Sequence, residues 1–106
     1  MLQISPSILS ADFTALGADC EKVLRAGADM LHIDVMDGVF VPNITIGLPV
    51  LAALTKKVPA QYDVHLMIAD PLRYVQDFCK AGADWLTFHY EADSDVADTI
   101  AAIHAN

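Results

Sequence analysis

The sequence predicts a parallel α/β fold of about four strand–helix units, and three observations carry that prediction. Apolar runs of strand length alternate with helical patterns along the whole chain, which implies a parallel sheet with right-handed crossovers. Residues are 55% hydrophobic with a mean hydropathy of +0.40, as expected of strands buried on both faces. There is also an internal repeat. Ala26-Gly-Ala-Asp-Met-Leu-His32 matches Ala81-Gly-Ala-Asp-Trp-Leu-Thr87, 55 residues on. Ser7-Ile-Leu-Ser-Ala-Asp12 matches His65-Leu-Met-Ile-Ala-Asp70, 58 residues on, in the same order.

Taken in order, residues 2–9 read as a first strand, and Asp12 caps a helix over about 14–26. Residues 30–36 form a second strand, followed by a long loop, 37–46, that holds Gly38, Pro42 and Asn43. A second helix spans 47–57 and is stopped by Pro59. Residues 61–68 are a third strand. Asp70-Pro71 then starts a helix to about residue 80, with proline at its first position. Residues 85–89 are the fourth strand, and an amphipathic helix runs from about residue 94 to the end.

The 106 residues suffice for one domain and no second one. Four units in this length average close to the roughly 30 residues of a barrel unit, so the chain has the size of half a (β/α)8 barrel. A complete four-stranded open sheet has the same pattern, and periodicity does not separate the two.

Formal charge is −8 and spread along the chain. Nucleic acid and anionic membranes, which require basic patches, are excluded as partners. No apolar run approaches the roughly 18 residues of a membrane span. Cys20 and Cys79 lack metal or redox spacing and read as buried free thiols. The absence of a leader makes the cytoplasm the default location.

Residues i and i+2 share a face of a strand. His32, Asp34 and Met36 therefore line one side of the second strand, opposite the apolar Leu31, Ile33 and Val35. Asp63, His65 and Met67 share a face of the third strand; Ser5, Ser7 and Leu9 do so on the first, and Trp85, Thr87 and His89 on the fourth. Polar side chains thus converge near the carboxyl ends of the strands, where such folds place their active sites. Each histidine alone could be a core residue bonded to a carboxylate. Together, His32, Asp34 and His65 match the ligands preferred by Zn²⁺, Fe²⁺ or Mn²⁺ and leave positions open for substrate. Met36 and Met67 read as core filling or as an apolar cap, Ser7 as a substrate contact or a strand-end pair. His89 reads as structural or supporting, and Asp37 as a loop cap.

Four segments carry a resemblance: Ser5-Pro-Ser-Ile-Leu-Ser-Ala-Asp-Phe13, His32-Ile-Asp-Val-Met-Asp-Gly38 with Phe40-Val-Pro-Asn43, Asp63-Val-His-Leu-Met67, and Thr87-Phe-His-Tyr-Glu91. In order and content they resemble ribulose-phosphate 3-epimerase. The resemblance implies a TIM barrel that interconverts D-ribulose 5-phosphate and D-xylulose 5-phosphate in the pentose phosphate pathway. It implies that one divalent cation is held by His32, Asp34 and His65, with Asp34 also the catalytic acid/base. Ser7 and His65 would contact substrate, and Met36 and Met67 would cover the sugar. Epimerisation removes the proton beside a ketone, so a cation can hold the developing enediolate charge. Asp34 can take that proton if its shielded site raises its pKa.

The family's second metal-binding aspartate and its glycine-rich phosphate loops have no counterpart in these residues. The resemblance is to an N-terminal half, expected to be inactive alone. An epimerase of a six-carbon ketose phosphate would share this half almost unchanged. A non-catalytic half-barrel is the remaining alternative. Its two open edges predict a homo-oligomer, in which a twofold dimer closes an eight-stranded ring.

Overall fold

Alternating burial along two adjacent strands sets the architecture. In a computed structural model describing residues 1–106, β1 is Leu31–Met36, β2 is Tyr62–Met67 and β3 is Trp85–Phe88. They form one parallel sheet in the order β1-β2-β3. Both β1 and β2 alternate buried and half-buried residues. One face carries Leu31, Ile33, Val35, Tyr62, Val64 and Leu66, all buried. The opposite, open face carries His32, Asp34, Met36, Asp63, His65 and Met67.

Helices α1 (Leu16–Arg25), α2 (Leu48–Lys57) and α3 (Val75–Ala81) cover the apolar face, and α4 (Val96–Ala105) packs against α3. Cys20 of α1, Leu51 and Leu54 of α2 and Phe78 of α3 join the sheet residues in one core. Each such side chain contributes about 2 kcal/mol on leaving water. Asp95 caps α4 by accepting from the Asp98 N–H at 2.9 Å. No helix is long and apolar enough to cross a membrane.

Two expectations are corrected. Residues 2–9 do not form a strand. They run beside β1, with the His32 N–H donating to Pro6 O at 2.9 Å, but pair only through the single parallel bridge Ser7–His32. The Ser7 side chain then accepts from the Leu9 N–H and caps a 3-10 turn at Ile8–Ser10. Pro6 has no N–H to extend a ladder, and no strand lies on the segment's other side. The third helix also starts late. Leu72–Tyr74 is a 3-10 turn, and the α-helix begins at Val75. The Leu72 N–H donates to Ser94 Oγ, which itself donates to Asp70 Oδ1, so the loop before α4 shapes this start.

The repeat is structural as well as sequential. Asp29 exchanges two hydrogen bonds with Ile4: Ile4 N–H to Asp29 Oδ2 at 2.7 Å and Asp29 N–H to Ile4 O at 2.9 Å. Asp84 makes the same pair with Tyr62, at 2.8 and 2.9 Å. Gly27 and Gly82 supply the matching left-handed turns before them, with φ of 116° and 117°.

Candidate metal centre

Register assembles the centre. Parallel pairing sets His32 opposite Asp63, Asp34 opposite His65 and Met36 opposite Met67. The bridge at Ser7 lays that residue beside His32 from the other side. All four sequence-predicted polar residues, Ser7, His32, Asp34 and His65, are therefore brought together on the open face. Met36 and Met67 are in-register neighbours toward the strands' carboxyl ends.

Asp34 is the hub. Its Oδ1 lies 3.0 Å from His32 Nε2 and 3.0 Å from His65 Nδ1, while its Oδ2 accepts from the Ser7 hydroxyl at 2.6 Å. Thr45 fixes the backbone here: its hydroxyl donates to Asp34 O at 2.7 Å and accepts from the Met36 N–H at 3.0 Å. Side chains at the hub retain 14–24% exposure, so the cluster is shielded yet reachable.

Supporting residues complete it. His32 Nδ1 lies 2.8 Å from Asp63 Oδ2, which also accepts from the Ser5 hydroxyl at 3.1 Å. His65 Nε2 lies 2.7 Å from His89 Nε2, and the two rings stack. The part played by Asp63 was missed by sequence reasoning, although its place two residues before His65 put it on this face. Asp37 caps its loop, accepting from the Val39 and Phe40 N–H groups at 2.9 Å, and ties it to β2 through the Ala69 N–H. Cys20 and Cys79 are both free thiols, but only Cys20 is buried as expected; Cys79 on α3 is half-buried.

Electrostatics correct the expectation for Asp34. Burial does push its carboxyl upward, but hydrogen bonds from Ser7 and His65 and the fields of His32 and His65 outweigh burial and hold it below the usual carboxylate value. His32 moves the other way. Burial lowers it, yet its hydrogen bonds and charge interactions with Asp63 and Asp34 win and raise it.

The residues fit a divalent cation. One donor atom each from His32, Asp34 and His65 lies within 4.8 Å of the others, two imidazole nitrogens and one carboxylate oxygen. Asp63 accepts from His32 Nδ1–H, so a cation placed between His32 and Asp34 would take Nε2 as its ligand atom, as supporting carboxylates arrange for histidine ligands.

Comparison with known proteins finds relatives over nearly the whole chain. The sequence model of the ribulose-phosphate 3 epimerase family matches residues 3–106. The chain is 52% identical over 103 residues to a ribulose-phosphate 3-epimerase of Bacillus subtilis (strain 168), covering 97% of this chain and 48% of that one. It is 45% identical over 119 residues to one of Candida glabrata, covering 97% and 48%. To the cytoplasmic isoform of rice (Oryza sativa subsp. japonica) it is 50% identical over 93 residues, covering 88% and 41%. The chain spans about half the length of the curated relatives it matches.

Proposed function

The chain belongs to the ribulose-phosphate 3-epimerase family, and on that premise we propose that residues 1–106 are the N-terminal half of a single barrel domain whose work is to epimerise C3 of D-ribulose 5-phosphate to D-xylulose 5-phosphate in the pentose phosphate pathway. The observation that carries this is the convergence of His32, Asp34 and His65 on one face of β1 and β2. One divalent cation, Zn²⁺, Fe²⁺ or Mn²⁺, held by these three would supply positive charge for the enediolate that forms when the C3 proton leaves.

Asp34 is the base. Its lowered pKa keeps it ionised at neutral pH, the form that accepts a proton. The Ser7 hydroxyl orients one carboxylate oxygen and lies where it can meet a substrate oxygen. His65 shares that role as ligand and substrate contact. Met36 and Met67 cap the sugar and exclude water from the reacting carbon. The second acid and the phosphate grip have no residues here, so the chain alone is inactive. The place of work is the cytoplasm, supported by the name of the rice relative.

A homo-oligomer is the form of the isolated chain that its edges favour. Residues 4–7 correspond by the repeat to β2, and β1 corresponds to β3. β2 takes β1 along its first edge, so residues 4–7 offer the matching edge to β3 of a second copy.

The test is a chimera of this chain with the remaining half of the Bacillus subtilis relative, assayed for ribulose 5-phosphate epimerisation with added Zn²⁺, Fe²⁺ or Mn²⁺. The chimera turns over, Asp34→Asn lowers its rate by roughly 10²–10⁴, and the chain alone is inactive. An Asp34→Asn chimera as active as its parent would refute the assignment.

A further inference from the structure

Both histidines of the centre present one ring nitrogen to Asp34, so each has a second nitrogen whose hydrogen must be placed. For His32 that is Nδ1, 2.8 Å from Asp63 Oδ2. An ionised carboxylate only accepts, so this nitrogen keeps its hydrogen, and a cation standing between Nε2 and Asp34 would find Nε2 as the donor atom. For His65 it is Nε2, 2.7 Å from His89 Nε2, and an imidazole nitrogen can either give or take a hydrogen bond. One hydrogen lies between those two atoms. Without a cation, Asp34 Oδ1 at 3.0 Å holds the His65 hydrogen on Nδ1; a cation that takes that hydrogen's place on Nδ1 requires His65 to carry its hydrogen on Nε2 and His89 to accept it.

Surroundings of His89 suit it to that accepting role once a cation stands at His65 Nδ1. Its Nδ1 lies 3.6 Å from the exposed Glu91 Oε2, beyond hydrogen-bond reach but close enough for the negative charge to favour a hydrogen on Nδ1. The ring is held between His65, stacked at 4.9 Å and 28°, and Phe40, tilted at 5.2 Å. That packing fixes the direction of Nε2.

We infer that His89 is a positioning residue of the centre: by accepting a hydrogen bond from His65 Nε2–H, it leaves His65 Nδ1 as a lone pair for a divalent cation. The inference rests on the cation site proposed above. His32 and His65 are thus held by different chemistry, one by a carboxylate and the other by a histidine packed against its own ring.

The test uses the ¹⁵N-labelled chain and Zn²⁺ alone. Long-range imidazole ¹H–¹⁵N spectra of the zinc-loaded protein show His89 protonated at Nδ1 and accepting at Nε2. His89→Phe, which keeps a ring in the stack and removes the acceptor, weakens zinc binding about 10–100-fold. His89→Gln, whose carboxamide oxygen can accept, recovers part of that loss. Zinc-loaded protein with His89 protonated at Nε2, or a His89→Phe chain that binds zinc as tightly as its parent, overturns the role of His89 while leaving the cation site standing. If zinc perturbs none of His32, His65 and His89, the cation site fails and the role of His89 fails with it.

Discussion

Residues 4–9 and β2 hold equivalent places in the repeat and receive the same local instructions, yet only one becomes a full strand. Each begins at a residue gripped by a following aspartate, Ile4 by Asp29 and Tyr62 by Asp84. Each sends a side chain three residues on to Asp34, Ser7 in one case and His65 in the other. The difference lies in neighbours. β2 is paired along its length with β1 and then with β3, whereas residues 4–9 meet β1 alone and hold one bridge. Ile4 is 55% exposed and Tyr62 only 2%. Flanking strands, more than local sequence, turn this pattern into a ladder.

Truncation should expose that difference most sharply. Tyr62→Ala removes a buried ring and a hydroxyl that donates to Val58 O at 2.6 Å, and costs about 3–5 kcal/mol in urea unfolding. Ile4→Ala, at the equivalent exposed place, costs roughly 0.5 kcal/mol; equal losses would break the comparison. The two glycines come next. Both have positive φ, so alanine strains either by about 1 kcal/mol. A Cβ on Gly82 would also meet Thr55 Cγ2 at 2.5 Å, while one on Gly27 meets nothing within 4 Å. Gly82→Ala should therefore cost about 2–3 kcal/mol in the same measurement, and Gly27→Ala about 1.

The aspartate grips follow. Asp84→Ala leaves the part-buried Tyr62 N–H without its partner, at about 1.5 kcal/mol, and Asp29→Ala at an exposed site costs about 0.5. Hydrogen exchange at the two amides reads this directly, with a larger loss of protection at Tyr62.

Alkaline titration probes the buried Tyr62 ring through its charge. Burial, with added repulsion from nearby negative charge, raises the Tyr62 phenol to about 12. The unfolded chain loses that proton near pH 10 and the folded one later, so stability falls as pH rises between them, on the order of 1 kcal/mol by pH 11. Tyr62→Phe removes this slope.

Periodicity of two made β1, β2 and β3 legible to within a residue or so, and it placed Ser7, His32, Asp34 and His65 on one face. It failed where partners distant in sequence decide. Residues 2–9 look like a strand because alternation does not say how many neighbours a strand will have. Asp70-Pro71 looks like a helix start, but the Leu72 N–H is taken by Ser94, 22 residues on. Asp34 looks like a carboxyl that shielding would raise; shielding is real, yet Ser7 and two imidazoles converge on it only after folding. Asp63 was visible on the right face, but its grip on His32 follows from parallel register, which the sequence does not print.

The central claim is that His32, Asp34 and His65 form one cation site on the open face. Zinc competition against a chromophoric chelator tests it most directly. The parent chain should take up one Zn²⁺, and His32→Ala, Asp34→Asn and His65→Ala should each weaken binding by at least about 10-fold, about 1.4 kcal/mol. Asp98→Asn, at an exposed site on α4, should leave it unchanged. A parent that binds no zinc, or any of the three ligand variants binding as tightly as the parent, would contradict it.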